Sequence, residues 1–248
     1  GLHRVSPRCE HVIVDCTPQG LYDLAPNHRL RAVMREKALA LSWHLRHGVL
    51  RDLEDNRVVV FCNTIDNCKT IENELRKMDP RDRRTDARCW KVLVLHGQRD
   101  KDDYREVAAE FSSDRTRARD FFKKRILVCT DRLSRGMDFS RQPVNWVVLM
   151  DWPRDATEYL RRVGRTARGG GHGGVLSFPS GLRELRMAKQ VTSAAVRGLP
   201  LQEGALELEE RAFCLERFDP RHRDWRSGGA AAPLPRGPAA AREQEGGR

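Results

Sequence analysis

The feature that most constrains this chain is a series of short apolar runs, each opening at its end into a polar loop. His11–Cys16, Arg57–Cys62, Val92–Leu95, Ile126–Cys129, Trp146–Met150 and Val175–Phe178 are too short and too evenly apolar for amphipathic helices, so they read as buried strands. Between them lie stretches with helical spacing. Arg29–His47 places Leu30, Val33, Met34, Ala38, Leu41 and Leu45 on one face and stops at Gly48; others run from about 66 to 78, from His96-Gly97 to Phe111, and over Arg183–Arg197. This alternation over residues 11–197 specifies an α/β fold of three layers with a mainly parallel central sheet and right-handed crossovers. Ligands of such sheets bind beyond the carboxyl ends of the strands, so the residues that follow each run are the site candidates.

Two of those ends are dense in polar groups. Ile126–Cys129 leads into Thr130, Asp131, Ser134, Arg135 and Asp138, and Trp146–Met150 leads through Asp151–Pro153 into a short helix carrying Tyr159 to Arg168. Four arginines, 161, 162, 165 and 168, fall within eight residues. Arg165 and Arg168, three apart, would share one side of a helical turn, and Gly164 and Gly169 leave room for close approach. The planar fork of arginine suits phosphate oxygens. A solvated basic helix end is the other reading, and the Asp-rich loop upstream favours the phosphate clamp.

CTDRLSRGMDF (129–139) resembles motif V of the DEAD-box RNA helicases, and YLRRVGRTAR (159–168), about thirty residues on, resembles their motif VI. VVVFCNT (58–64) resembles motif IV, and the likeness covers roughly residues 2–200. The resemblance implies a RecA-like fold, the second of two helicase domains. It divides the chain into a lead-in segment with the first strand (1–29), the helicase C-terminal RecA-like domain (30–200) and an extension (201–248) whose Gly/Ala/Pro-rich end is disordered from about 226.

The same resemblance implies roles. Arg165 and Arg168 act as arginine fingers on ATP, with Asp138 and Gly136 also at the nucleotide; Thr64, Thr130 and Asp131 contact RNA. The positions where the family places Gln and Arg after His96-Gly97 hold Lys101 and Tyr104, with Arg105 one beyond, so Lys101 and Arg105 join the RNA candidates. The usual motif VI histidine is Arg161 here, and Arg161 and Arg162 are assigned to contacts between domains.

The phosphate loop and the Asp-Glu-Ala-Asp metal site belong to the first helicase domain, and neither pattern occurs in this chain. Mg2+ would therefore be held mainly by that N-terminal RecA-like domain, the expected partner, and the chain alone is expected to be inactive. RNA, single-stranded or structured, ribosomal or organellar, is the other expected partner. Lys+Arg 46 against Asp+Glu 35, a formal +11, suits a polyanion without choosing among RNA, DNA and membrane. Six Lys or Arg in Ser112–Arg125 read equally as a nucleic-acid loop or a solvated face.

Seven cysteines, mostly inside apolar runs (Cys16, Cys62, Cys129), show no metal-ligand spacing and read as reduced core residues in an intracellular protein with no metal site. No run approaches the length of a membrane span, so no membrane partner is expected. The start has neither an initiator Met nor a signal peptide, which points to a fragment. The motif wording resembles plant chloroplast members most, with nucleus and mitochondrion as the other compartments. Two function classes stay open: the C-terminal half of an ATP-dependent RNA helicase, or a stand-alone RNA-binding or protein-docking module without motor activity.

Overall fold

The computed structural model describes residues 5–6, 8–51, 56–80, 89–97, 101–113, 124–131, 144–168, 171–197 and 214–217. In chain order the elements are β1 (Cys9–Asp15), α1 (Pro26–Arg46), β2 (Asn56–Phe61), α2 (Ile65–Met78), β3 (Trp90–Leu95), α3 (Lys101–Ser112), β4 (Lys124–Cys129), β5 (Trp146–Leu149), α4 (Ala156–Val163), β6 (Gly173–Ser177), α5 (Gly181–Val196) and β7 (Cys214–Arg217). The strands form one seven-stranded sheet in the order β3-β4-β2-β5-β6-β1-β7, and every pairing is parallel. All carboxyl ends therefore lie along one edge.

The uniform apolarity of the runs follows from the layers. Val58 and Val60 of β2 join the cluster under α1 and α2, with Met34, Leu41 and Ile71, whereas Val59 and Phe61 join the opposite cluster with Phe111, Tyr159 and Ala188. Alternate residues serve opposite faces, and both faces are covered by helices, so neither set can be polar. This is the three-layer α/β architecture that the spacing predicts.

Several boundaries differ from the sequence expectation. Helix α1 begins at Pro26 rather than Arg29, because proline is tolerated in the first turn. Its inner stripe is not wholly apolar: Lys37 is buried and donates from Nζ to the Met150 carbonyl at 2.7 Å. Leu30, expected in the core, is 62% exposed. Lys124 and Arg125, read as part of a basic loop, begin β4 and are buried, donating to the carbonyls of Arg51 and Ser113. β7 lies within 201–248, where no strand is expected from the sequence reading, and β1 lies within 1–29; both are hydrogen-bonded into the sheet of 30–200.

The glycine-rich return after α4 has a packing reason. Gly174 pairs with Trp146 across β5 and β6, and a Cβ on Gly174 would sit 2.5 Å from the Trp146 ring. Because that ring is buried and cannot swing away, Gly174→Ala should destabilise the domain by about 1–3 kcal/mol, read as a lowered urea midpoint at unchanged m value.

Candidate functional site

The neighbouring strands β4, β2 and β5 deliver Thr130-Asp131, Asn63-Thr64 and Asp151-Trp152 to the carboxyl edge. Across them reaches Arg162 from the last turn of α4, with a side chain that has no solvent exposure. Its Nε donates to both Asp131 carboxylate oxygens at 3.0 Å, and Nη2 donates to Asp131 Oδ2 at 2.5 Å, Glu158 Oε1 at 3.0 Å and Asn63 Oδ1 at 2.6 Å. Nη1 donates to the Asp151 carbonyl at 2.9 Å, and the guanidinium carbon lies 5.5 Å from the centre of the Phe61 ring. The rigid fork is thus satisfied on all three nitrogens.

Burial alone would raise the Asp131 carboxyl, but hydrogen bonds and charge from Arg162 outweigh it and hold the group below its ordinary value. For Arg162, burial works against the charge, while the Asp131 hydrogen bonds and charge reverse the sign and raise it. The pair is ionised and locked.

The supporting shell extends outward. Asp151 Oδ2 accepts from the Asn63 backbone N–H at 2.7 Å and from Asn67 Nδ2 at 2.8 Å. Asp155 caps α4 by accepting from the Glu158 N–H at 2.7 Å, and Glu158 Oε2 accepts from the Arg154 N–H at 2.7 Å. Beneath the helix, the Tyr159 hydroxyl lies 3.3 Å from His11 Nδ1, and burial pushes that imidazole down to about 4. Asn63, Asn67, Asp151 and Glu158 were given no role by sequence reasoning. The signals were an Asp-x-x-Glu cap at 155–158 and the i,i+4 spacing of Glu158 and Arg162.

The remaining candidates divide. Thr64 is exposed at the N-cap of α2, where Oγ1 accepts from the Asn67 N–H at 3.1 Å, and Thr130 is half-buried on the adjacent strand end. Arg161 and Arg168 are exposed and Arg165 is half-buried. The helix ends at Val163, so Arg165 and Arg168 do not share a helical turn; Thr166 makes a bridge to Val144, and Ala167 takes φ 51°. They are still neighbours: burial and then the charge of Arg168 lower the Arg165 guanidinium, while Asp131 opposes the shift. Each Nε is held by a carbonyl four residues back, Arg161 at 3.1 Å and Gly164 at 2.6 Å.

The Arg162 side chain is wholly enclosed, and both Asp131 oxygens accept from it, so in this structure the pair holds α4 to the end of β4. Arg105 is exposed on α3 in an ion pair with Asp102 at 3.4 Å, and Lys101 begins that helix. Gly136 and Asp138, with Ser134 and Arg135, lie outside the described residues. Among the described residues no cluster fits a metal ion, and no helix is long and apolar enough to cross a membrane. The thiols of Cys62 and Cys129 are raised by their surroundings, for Cys62 the hydrogen bond with Cys68 and then burial, for Cys129 burial first. They are core groups.

Residues 40–170 match the helicase conserved C-terminal domain. The chain is 36% identical over 204 residues to DEAD-box ATP-dependent RNA helicase 50 of Oryza sativa subsp. japonica, covering 82% of this chain and 28% of that protein. It is 34% identical over 206 residues to the Arabidopsis thaliana protein of the same name, covering 82% and 23%. The chain thus spans about a quarter of the length of these curated relatives. Its fold is like that of Mss116p DEAD-box helicase domain 2 bound to an RNA duplex, with a TM-score of 0.55 at 19% identity over 88% of this chain and 67% of that one.

The Arg162 cluster should dominate stability. Arg162→Met leaves two carboxylates facing a buried gap and should cost about 3–5 kcal/mol at neutral pH, measured by chemical denaturation. Because the folded Asp131 carboxyl lies below its ordinary 3.8, its stabilisation is fully present above that value and is lost as pH falls through the folded one. Asp131→Asn should therefore flatten the fall of stability with acid in that window, at the expense of stability near neutrality.

Proposed function

This chain belongs to the helicase conserved C-terminal domain family, and from that premise we propose that it is the second RecA-like half of a DEAD-box ATP-dependent RNA helicase. The observation that carries the reading is the division of labour among the arginines of 161–168. One is spent wholly on fixing α4 to three strand ends, and two neighbours, Arg165 and Arg168, are held at the surface by their Nε atoms. An RNA-binding module has no need of so rigid a mount for two forks, one exposed and one half-buried; a phosphoryl-transfer site does.

In this reading Arg165 and Arg168 neutralise charge that develops on the transferring phosphate of ATP, with Asp138 and Gly136 also on the nucleotide side. The N-terminal RecA-like domain would bring the phosphate loop and the Mg2+ ligands, and Arg161, exposed on α4, faces it. ATP supplies the free energy of phosphate transfer, and this chain orients and stabilises. The hydroxyls of Thr64 and Thr130 sit on neighbouring strand ends and fit contacts to an RNA backbone, as does the RNA duplex bound by the Mss116p domain. Arg105, exposed on α3, adds positive charge on the β3 side of the same edge, and Lys101, the first residue of that helix, joins it as an RNA candidate by its place in the sequence. We place the protein in the chloroplast, acting on organellar RNA, on the wording of the two motifs; plastid import of the full-length protein fused to a fluorescent reporter tests this.

The decisive experiment is Arg168→Lys in the two-domain protein. Lysine keeps the charge and loses the fork, so ATP turnover should fall by about a hundredfold or more while RNA affinity changes less than about threefold. Loss of RNA affinity at normal turnover would make 159–168 an RNA backbone grip and remove the motor reading. Thr130→Val should do the reverse, weakening RNA binding several-fold at saturable ATP binding; equal RNA affinity would return Thr130 to a strand cap. The purified chain alone should show no RNA-stimulated ATP hydrolysis.

A further inference from the structure

The described residues expose four large apolar side chains, and three of them gather at one corner: Tyr22 at 65%, Leu30 at 62% and Leu182 at 66%. Tyr22 lies in the connection from β1 to α1, Leu30 in the second turn of α1, and Leu182 in the first turn of α5. All three segments follow the carboxyl ends of β1 and β6, which are neighbours in the sheet. Contacts tie the corner together. A Cβ on Gly181 would meet the Tyr22 hydroxyl at 3.5 Å, the Gly181 N–H donates to Thr17 Oγ1 at 2.8 Å, and Lys37 of α1 lies 3.7 Å from Glu184 of α5.

Leu30 is exposed for a geometric reason. It lies four and seven residues before Met34 and Lys37, which are buried, so it continues the inner stripe of α1. The 21 residues of α1 span about 31 Å at 1.5 Å per residue, whereas the seven of β1 span about 23 Å. Lys37 reaches the Met150 carbonyl, just past the end of β5, so the turns of α1 before it lie beyond the sheet edge and carry their apolar stripe past the core that would cover it. Cations flank this stripe: Arg31 and Arg183 adjoin Leu30 and Leu182 in sequence, Arg186 lies one turn beyond Leu182, and all three are exposed. Asp23 is the exposed carboxylate nearest to Tyr22 in sequence, and Glu184 faces Lys37.

We infer that this corner is a docking site for a protein partner that presents a short acidic amphipathic helix, its two or three large apolar residues set on Tyr22, Leu30 and Leu182 and its carboxylates on Arg31, Arg183 and Arg186. Two of the three anchors are leucines, which offer no face for base stacking, and this favours a protein over a second RNA surface. The corner follows β6 and β1, two and three strands from β2, about 10 and 14 Å along the edge, so substitutions in it leave Thr64 and Thr130 untouched. Such a partner would sit at the lip of the edge to which Thr64 and Thr130, the proposed RNA groups, belong, although the docking surface itself does not rest on that assignment.

The test uses the 248-residue chain and a synthetic, fluorescently labelled helical peptide of about 16 residues with leucine at i, i+4 and i+7 and glutamate on its other faces. Its anisotropy should report saturable binding. Leu30→Ser with Leu182→Ser should weaken that binding by about tenfold, as should Arg31→Glu with Arg183→Glu, while affinity for a U-rich RNA oligonucleotide holds. These positions are exposed, so unfolding is not expected, and unchanged circular dichroism verifies it. A lysine-for-glutamate version of the peptide should not bind. Failure of the acidic peptide to bind, or equal affinity for wild type and both variants, overturns the proposal. So does loss of RNA affinity in the leucine variant, which makes the corner an RNA surface, and so does self-association of the chain that the leucine variant abolishes, which assigns it to a second copy.

Discussion

The carboxyl edge of this domain depends on one buried guanidinium. Arg162 ends α4 but its hydrogen bonds go to groups that follow β4, β2 and β5, so a single side chain joins three strand ends to the helix above them. Arginine fits where lysine would not, because its donors lie in a plane and diverge, and the acceptors at Asp131, Glu158, Asn63 and Asp151 surround that plane. Removing a full charge from water is costly, and two carboxylates at hydrogen-bonding distance offset much of that cost. What the arrangement secures is position: the chain leaving α4 at Gly164 starts from a fixed point.

From that point the four arginines of 161–168 separate into distinct environments. Arg162 and Val163 turn inward with Tyr159, the stripe that packs on the sheet, while Arg161 turns outward. Past Val163 the helix gives way to a bridge and a left-handed residue at Ala167, which redirects the backbone before Arg168. Thr166 holds this turn down by donating to the Val144 carbonyl at 2.6 Å. Arg165 and Arg168 are each steadied there by an Nε that donates to a carbonyl four residues back, of Arg161 and of Gly164.

A second tier of buried cations binds the layers to one another. Lys37 crosses from α1 to the end of β5, Arg57 donates to the carbonyls of Phe111 and Ser113, and Arg125 shares Ser113. Each reaches a carbonyl that ends or follows an element, where backbone acceptors lack ladder partners. The long stems of these residues pack with the core while the charge meets an acceptor at its rim. The corner at Tyr22, Leu30 and Leu182 is the complement of this pattern: there apolar side chains run past the rim, and cations stand beside them in solvent.

The sequence by itself determined the positions of six of the seven described strands, the alternation with helices and hence the three layers, because a run buried on both faces must be apolar throughout and a helix must show its 3.6-residue stripe. It also marked loops that follow strands: Thr130-Asp131 and Asn63-Thr64 lie at the carboxyl edge and Arg162 reaches back to it, whereas Thr166 bridges to Val144 ahead of β5, at the opposite end of the strand. It could not tell which arginine faces inward. Arg161, Arg162, Arg165 and Arg168 are alike as letters, and burial of one depends on acceptors supplied by residues 31 and 99 positions away, Asp131 and Asn63. The inward Lys37 and the exposed Leu30 were illegible for the same reason. Polarity predicts a side chain's preference, whereas the length of a helix relative to its sheet and the partners waiting at the rim decide whether that preference is met. Those are long-range facts, and only the tertiary structure contains them.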